Sequence, residues 1–471
     1  MARRSLLLLL GASAALAGCN LAPKYVRPVG AIPAILPQGG AYPPAATDAA
    51  DVTAIGWRDF FTDDRLRQVI ALGLENNRDL RLASANVLQA RAQYRVQRAD
   101  LVPGTNASVA GTRTNNTAGF GGGAGASTTI EFYTASVGFS AFELDLFGRT
   151  RNLSRAALEQ YFATEEAGRS TRISLIAEIA TAWLTMASDQ DQLRLSQQTL
   201  KAFEETLRLT REQFRVGVAS ELEARQAETN YQAARNDIAV ARTRIAQDQN
   251  ALNLLVGTTV AAEQLPEGLG NGSGFLIPSL PANLSSEILL RRPDVLEAEH
   301  RLIAQNANIG AARAAFFPTI SLTATLGTLS GALGGLFGSG SATYNASPSI
   351  SLPLFDGGRN RGNLESARAA QQGAVATYER TIQVAFREVA DALAQRGTIG
   401  EQVAAQAARA EAATVAARLA DARYRAGVDS FLTALDSQRT AYSVQQQLVT
   451  ARLNEGSNLI EVYRTLGGGL R

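Results

Sequence analysis

The stretch FRVGVASELEA, Phe214 to Ala224, returns as YRAGVDSFLTA, Tyr424 to Ala434, 210 residues later (424 less 214). Arg215, Gly217, Val218, Ser220, Leu222 and Ala224 meet identical residues at that offset. Upstream, LFGRTRN (Leu146 to Asn152) answers DGGRNRGN (Asp356 to Asn363) through Gly148/Gly358 and Arg149/Arg359. The spacing is that of one large unit duplicated, not of a short-period solenoid. Each of the first two stretches carries a glycine between small apolar residues where a helical pattern stops, and a serine where the next begins. That is the chemistry of a tight helical hairpin, because glycine accepts the positive φ that reverses the chain.

Outward from the turns the period is seven. Leu193, Leu200, Leu207 and Phe214 lead into the first, and Val403, Ala410, Ala417 and Tyr424 into the second. Sustained heptads predict coiled-coil packing, and the many alanines predict closely spaced helices. The first long helix is expected over about 151–215, about 95–100 Å at 1.5 Å per residue. A shorter return helix is expected over 220–256, with another over 293–317 and a Gly/Pro/Ser-rich stretch between them.

Ahead of each long helix the period falls to two. Ile320, Leu322, Ala324 and Leu326 alternate with Thr319, Ser321, Thr323 and Thr325. Tyr133, Ala135, Val137 and Phe139 alternate with small polar residues, as do Ala346, Ile350, Leu352 and Leu354. Four strands of about ten residues, at 104–116, 130–146, 318–328 and 343–355, are apolar on one face and hydroxyl-rich on the other, the pattern of membrane-barrel strands around a wet lumen. Barrels of that kind need about eight strands or more, and lipid forbids an open edge. Four strands therefore predict completion by other copies, two giving eight and three giving twelve.

Composition narrows the chemistry. The 45 basic and 43 acidic residues leave a net charge of +2, no electrostatic footprint for nucleic acid. One cysteine, Cys19, and one histidine, His300, exclude a disulfide or a Cys/His zinc site within the chain. No enzyme, cofactor or metal is expected, and His300 beside Glu299 has no nucleophile placed with it. Arg292-Pro293-Asp294 is expected to start a helix, and Trp57 and Trp183 to serve packing.

Arg3 and Arg4 precede an apolar run from Leu6 to Leu10, a secretion signal too short to cross a membrane as a helix. Its end, Leu16-Ala17-Gly18-Cys19, resembles the bacterial lipobox. That resemblance implies cleavage before Cys19 and acylation there, the several chains together making a stable anchor. The proline-rich segment that follows reads as an extended tether. The expected organisation is a signal over 1–18, a lipidated tether over 19–53, repeats over 54–262 and 285–468, and a linker over 263–284.

Taken together, WRDFFTDDRLRQVIALGLENNRDL (Trp57 to Leu80), RRPDVLEAEHRLIAQNANIGAARAAFFPTISL (Arg291 to Leu322), FDGGRNRGN (Phe355 to Asn363) and YRAGVDSFLTALDSQR (Tyr424 to Arg439) resemble the TolC-type outer-membrane efflux factors. The likeness is particularly to the lipoprotein branch serving resistance-nodulation-division pumps, NodT-like. The resemblance implies a mainly α chain with membrane β-strands, a homotrimer with a twelve-stranded barrel, and an α-helical coiled-coil barrel in the periplasm. It implies a duct for drugs and other small toxic molecules, joined through a periplasmic adaptor to an inner-membrane pump. The turns Val216-Gly217-Val218-Ala219-Ser220 and Ala426-Gly427-Val428-Asp429-Ser430 match the family's adaptor-binding tips. Leu432 and Asp436, four residues apart on one helix face, match its periplasmic gate; the first copy offers Leu222 but Gln226. The rival expectations are a type I protein-secretion duct of the same fold and a periplasmic adaptor lipoprotein.

Overall fold

The computed structural model describes residues 20–43, 55–116, 128–270 and 285–468. The helices are α1 Trp57–Phe60, α2 Asp64–Asn76, α3 Arg78–Ala99, α4 Arg149–Arg215, α5 Glu221–Val256, α6 Pro293–Ala314, α7 Arg359–Arg425 and α8 Phe431–Thr465. The strands are β1 Asn106–Asn116, β2 Thr128–Glu143, β3 Thr319–Ser330 and β4 Ala342–Ser351. The duplication is carried into structure: α4 and α7 each span 67 residues, starting at the paired Arg149 and Arg359 and ending at the paired Arg215 and Arg425. Among the described residues no helix is long and apolar enough to cross a membrane.

The chain divides into two compact units. The first gathers residues up to 28, 86–164 and 297–378, and holds all four strands. They form one antiparallel sheet in the order β1-β2-β3-β4, so a strand of the first copy pairs with one of the second. Register keeps the chemistry sorted, since directly opposed residues share a face. Ala107, Val137, Leu326 and Tyr344 lie across one row, and Ile320 faces Ile350. On the other face Ser108 pairs with Ser136, their hydroxyls 3.0 Å apart, and Thr323 pairs with Ser347. β1 and β4 each have one neighbour, leaving two open edges.

Two features of the sheet were not visible in the alternation. A bulge lies between Phe139 and Phe142, where Ala141 takes φ 52° and donates its N–H to Thr323 Oγ1 at 2.9 Å. The extra residue changes the parity, so Phe142 joins Phe139 on the apolar face, their rings 6.2 Å apart edge to face. At Gly138 a Cβ would meet the Ala324 carbonyl oxygen and lie 2.7 Å from Thr325 Cα; β2 and β3 approach too closely for a side chain. β2 begins two residues before its expected start and ends at Glu143, and β4 stops at Ser351. Pro353 lies just beyond β4, and it has no N–H to extend a ladder.

The second unit gathers 29–85, 165–296 and 379 onward, and its core is aromatic. Phe60 and Phe61 are fully buried; Phe60 stacks on Tyr463 at 4.2 Å, and Phe61 meets it edge-on at 5.9 Å. Trp183 is buried and donates its indole N–H to the Gln264 carbonyl at 3.0 Å. Trp57 is buried as well.

Candidate functional site

The two hairpin turns have one geometry. In the first, Gly217 at φ 76° donates to the Phe214 carbonyl at 3.0 Å and Val218 to the Gln213 carbonyl at 2.8 Å. In the second, Gly427 at φ 73° donates to Tyr424 at 2.9 Å and Val428 to Arg423 at 2.9 Å. Both are Schellman closures, in which the left-handed glycine lets its own N–H and the next one satisfy the last helical carbonyls. Ser220 and Ser430 then cap α5 and α8; Ser220 forms a full capping box with Glu223. Val216, Val218 and Val428 stand exposed, so each turn presents apolar side chains on a polar hairpin. Only the second turn carries an ion pair, Arg423 Nε to Asp429 Oδ2 at 2.6 Å. That hydrogen bond, with the charge behind it, holds the Asp429 carboxyl below its usual range.

The hairpins are tied together just above the turns. Leu207, Ala227, Phe431 and Leu435 form a buried cluster, flanked by Tyr231 and Tyr424. Tyr424 donates to Gln213 Oε1 at 2.7 Å, and its ring meets Phe431 at 5.6 Å. Higher up, Tyr442 of α8 donates to Asp237 of α5 at 2.8 Å and lies 2.9 Å from the Ser196 hydroxyl of α4. Burial foremost pushes that phenol up to about 12.

Leu432 and Asp436 lie on the first turns of α8, both exposed, Leu432 by 61%. Buried Phe431, Ala434 and Leu435 turn the opposite face of the same helix inward, so packing leaves Leu432 and Asp436 outside the protomer's own core. Asp436 borders a groove of about 500 Å³ that also contains Arg409, Arg439 and Asn230. No ion pair engages Asp436 among the described residues. Gln226 holds the equivalent place on α5.

Cys19 and the signal over 1–18 lie outside the described residues, as do the glycine-rich loop 119–127, residues 44–53 of the tether and residues 271–284 of the linker. The rest of the tether is docked. Within the first unit, Asn152 donates to the Asn20 side chain at 3.0 Å, Arg313 to the Leu21 carbonyl at 3.1 Å and Asn306 to the Pro23 carbonyl at 2.7 Å. Arg27 grips the buried Glu299 with two bonds of 2.8 and 2.7 Å, and Tyr25 donates to it at 2.9 Å. Burial and the Glu299 hydrogen bond both push the Tyr25 hydroxyl up. Glu299, Asn306, Gly310 and Arg313 thus make a stripe along α6, with Gly310 open because a Cβ there would strike Ala22. Proline spacing read as a tether; that it docks is decided by the long-range partner Glu299, which Tyr25 and Arg27 reach.

His300 is half-buried, its Nδ1 2.7 Å from Glu159 Oε2 and its ring 5.4 Å from Phe162. It joins α6 to α4. The described residues contain no cluster of three or more metal-ligating side chains. One acidic pair had no sequence signature: Asp189 of α4 and Asp248 of α5 lie side by side, with Arg244 4.0 Å from Asp189. Burial and the Asp189 charge push Asp248 up to about 6.

The sequence profile described as outer membrane efflux protein matches residues 69–258 and again 284–468. The antibiotic efflux pump outer membrane protein ArpC of Pseudomonas putida is 46% identical over 468 residues, 99% of this chain and 96% of the relative. Among solved structures, a membrane protein from Pseudomonas aeruginosa superposes with a TM-score of 0.88 at 40% identity, covering 96% of this chain and 98% of the other. The open state of the Neisseria gonorrhoeae MtrE outer membrane channel gives 0.86 at 37% identity, covering 96% and 99%.

Proposed function

The chain belongs to the outer membrane efflux protein family, and from that premise we propose how its parts divide the work of export. It is an outer-membrane channel component for efflux, its helices extending on the periplasmic side. Three copies close a twelve-stranded barrel, β1 of each pairing with β4 of the next. The observation that carries this is the four-stranded sheet with two open edges, one face apolar and the other lined by hydroxyls. A single sheet of that kind cannot sit in lipid without leaving backbone N–H and C=O groups unpaired. From Ile320 to Ser330 the strand rises about 34 Å, which a tilt of about 40° reduces to about 26 Å, close to the apolar band of bacterial barrels.

The α4/α5 and α7/α8 hairpins line the periplasmic tunnel, and their turns, 216–220 and 426–430, engage a periplasmic adaptor joined to an inner-membrane pump. Support comes from the exposed valines on a rigid, doubly capped turn that occurs twice per chain. Leu432 and Asp436, turned away from the protomer's core, narrow the tunnel mouth where three copies meet. Cys19 carries the lipid anchor. In support, the chain just after it is docked: Asn20 is held by Asn152 near the start of α4 and Leu21 by Arg313 a few residues before β3. The cargo is small toxic molecules, in keeping with the antibiotic efflux of the relative ArpC.

Planar-bilayer conductance of purified protein, with oligomeric mass checked in the same preparation, tests the reading. Discrete channels from a trimer are expected, and Asp436→Ala is expected to raise their conductance. A monomer without conductance in a lipid-compatible detergent refutes the barrel; unchanged conductance of a normally assembled Asp436→Ala refutes the gate.

A further inference from the structure

The second unit contains a cavity of about 440 Å³ that no part of the duct reading uses. Its size falls in the range of small-molecule sites, about 300–1,000 Å³. Trp57, Ile173, Ile176 and Leu296 form an apolar wall, with Trp57 7% and Ile176 2% exposed. Three arginines stand around it. Arg169 is committed to the buried Glu166 at 2.7 Å. Arg172 and Arg291 have no acidic partner among the described residues. Pro293, at the first turn of the 22-residue α6, brings the positive end of that helix to the same cavity, while the neighbouring Asp294 carboxylate is taken by Arg292.

We infer that this cavity binds a small amphipathic organic anion, its carboxylate, sulfonate or sulfate head between Arg172 and Arg291 and its apolar body against Trp57 and Ile176. The argument is charge complementarity over an apolar wall. The one carboxylate in the lining, Glu166, is taken up by Arg169, so the other two guanidinium groups and a helix N-terminus raise the potential at the mouth, and a neutral ligand would leave them unmatched. An anion without an apolar body would leave the wall wet, and the combination satisfies both. The inference does not depend on the gate or tip assignments.

The test uses the assembled full-length protein in nanodiscs and the fluorescent anion 8-anilinonaphthalene-1-sulfonate, with empty nanodiscs subtracted. Saturable binding of one probe per chain is expected, with energy transfer from tryptophan that Trp57→Phe reduces, the remainder coming from Trp183 about 10 Å along α4 from Ile176. Arg172→Gln and Arg291→Gln are each expected to weaken binding about tenfold, as loss of one charge-assisted contact does. On the unmodified protein, decanoate should displace the probe and decanol should not, a comparison that does not depend on any variant folding. Absence of a saturable component, equal displacement by decanol, or unchanged affinity in a folded Arg172→Gln/Arg291→Gln protein overturns the proposal.

Discussion

Replacing Arg292 with methionine should cost the second unit more than any surface ion pair could. The side chain is 7% exposed and makes four hydrogen bonds. Two go to Asp294 at 3.0 and 2.7 Å, one to Glu388 at 2.9 Å and one to the Thr465 carbonyl at 2.8 Å. It therefore joins the start of α6 to α7 and to the end of α8. Methionine fills much of the volume but leaves two partly buried carboxylates facing each other. Breaking a buried pair from one side costs about 3–5 kcal/mol, against about 0–1 for exposed pairs. Arg464 lies 3.6 Å from Glu388 and offsets part of the loss, so the lower end, about 3 kcal/mol, is expected. With an unfolding entropy of about 2.1 cal/mol/K per residue, a chain of this length loses about 3 °C for 3 kcal/mol if it melts as one, and more if the second unit melts alone. Thermal melts followed by circular dichroism measure this in detergent. Adding Glu388→Gln to Arg292→Met should recover part of the loss, because one stranded charge is gone. A melting point within 1 °C of the parent, with unchanged protease resistance, would refute the claim that this network holds the three helices together.

Three further outcomes follow from the geometry. Asp248, pushed up from 3.8 to about 6, is neutral in the fold at low pH and forced to ionise beside Asp189 as pH rises; its contribution is fully present below the ordinary value and is lost as pH rises through about 6. Asp248→Asn should therefore raise the melting temperature at pH 7.5 and leave it unchanged at pH 4, measured by calorimetry. Gly427→Val puts a β-branched residue at φ 73° and should cost about 1–2 kcal/mol locally, seen as faster hydrogen exchange over 423–431 while the strands keep their protection. Gly138→Val drives a side chain into the β3 backbone and should abolish heat-resistant oligomers on gels, whereas Gly104→Val, in open space, should not.

The amino-acid order alone determined the parts. A 210-residue repeat, heptads, glycine-centred turns and period-two strands are local patterns, and each states its own secondary structure because backbone geometry ties side-chain direction to a short period. From them came the two hairpins, the four strands and the need for other copies to close a sheet; the family resemblance added the duct and its partners. What only the tertiary structure decided depends on residues far apart in the chain. The pairing of β2 with β3, the Ala141 bulge that returns Phe142 to the apolar face, and the docking of Asn20 to Arg27 along α6 are such cases. So are the partners of Arg292 and the meeting of Asp189 with Asp248. A contact across many tens of residues or more imposes no period on either segment, so nothing in the local sequence announces it; it exists only once packing has brought the two side chains to the same place.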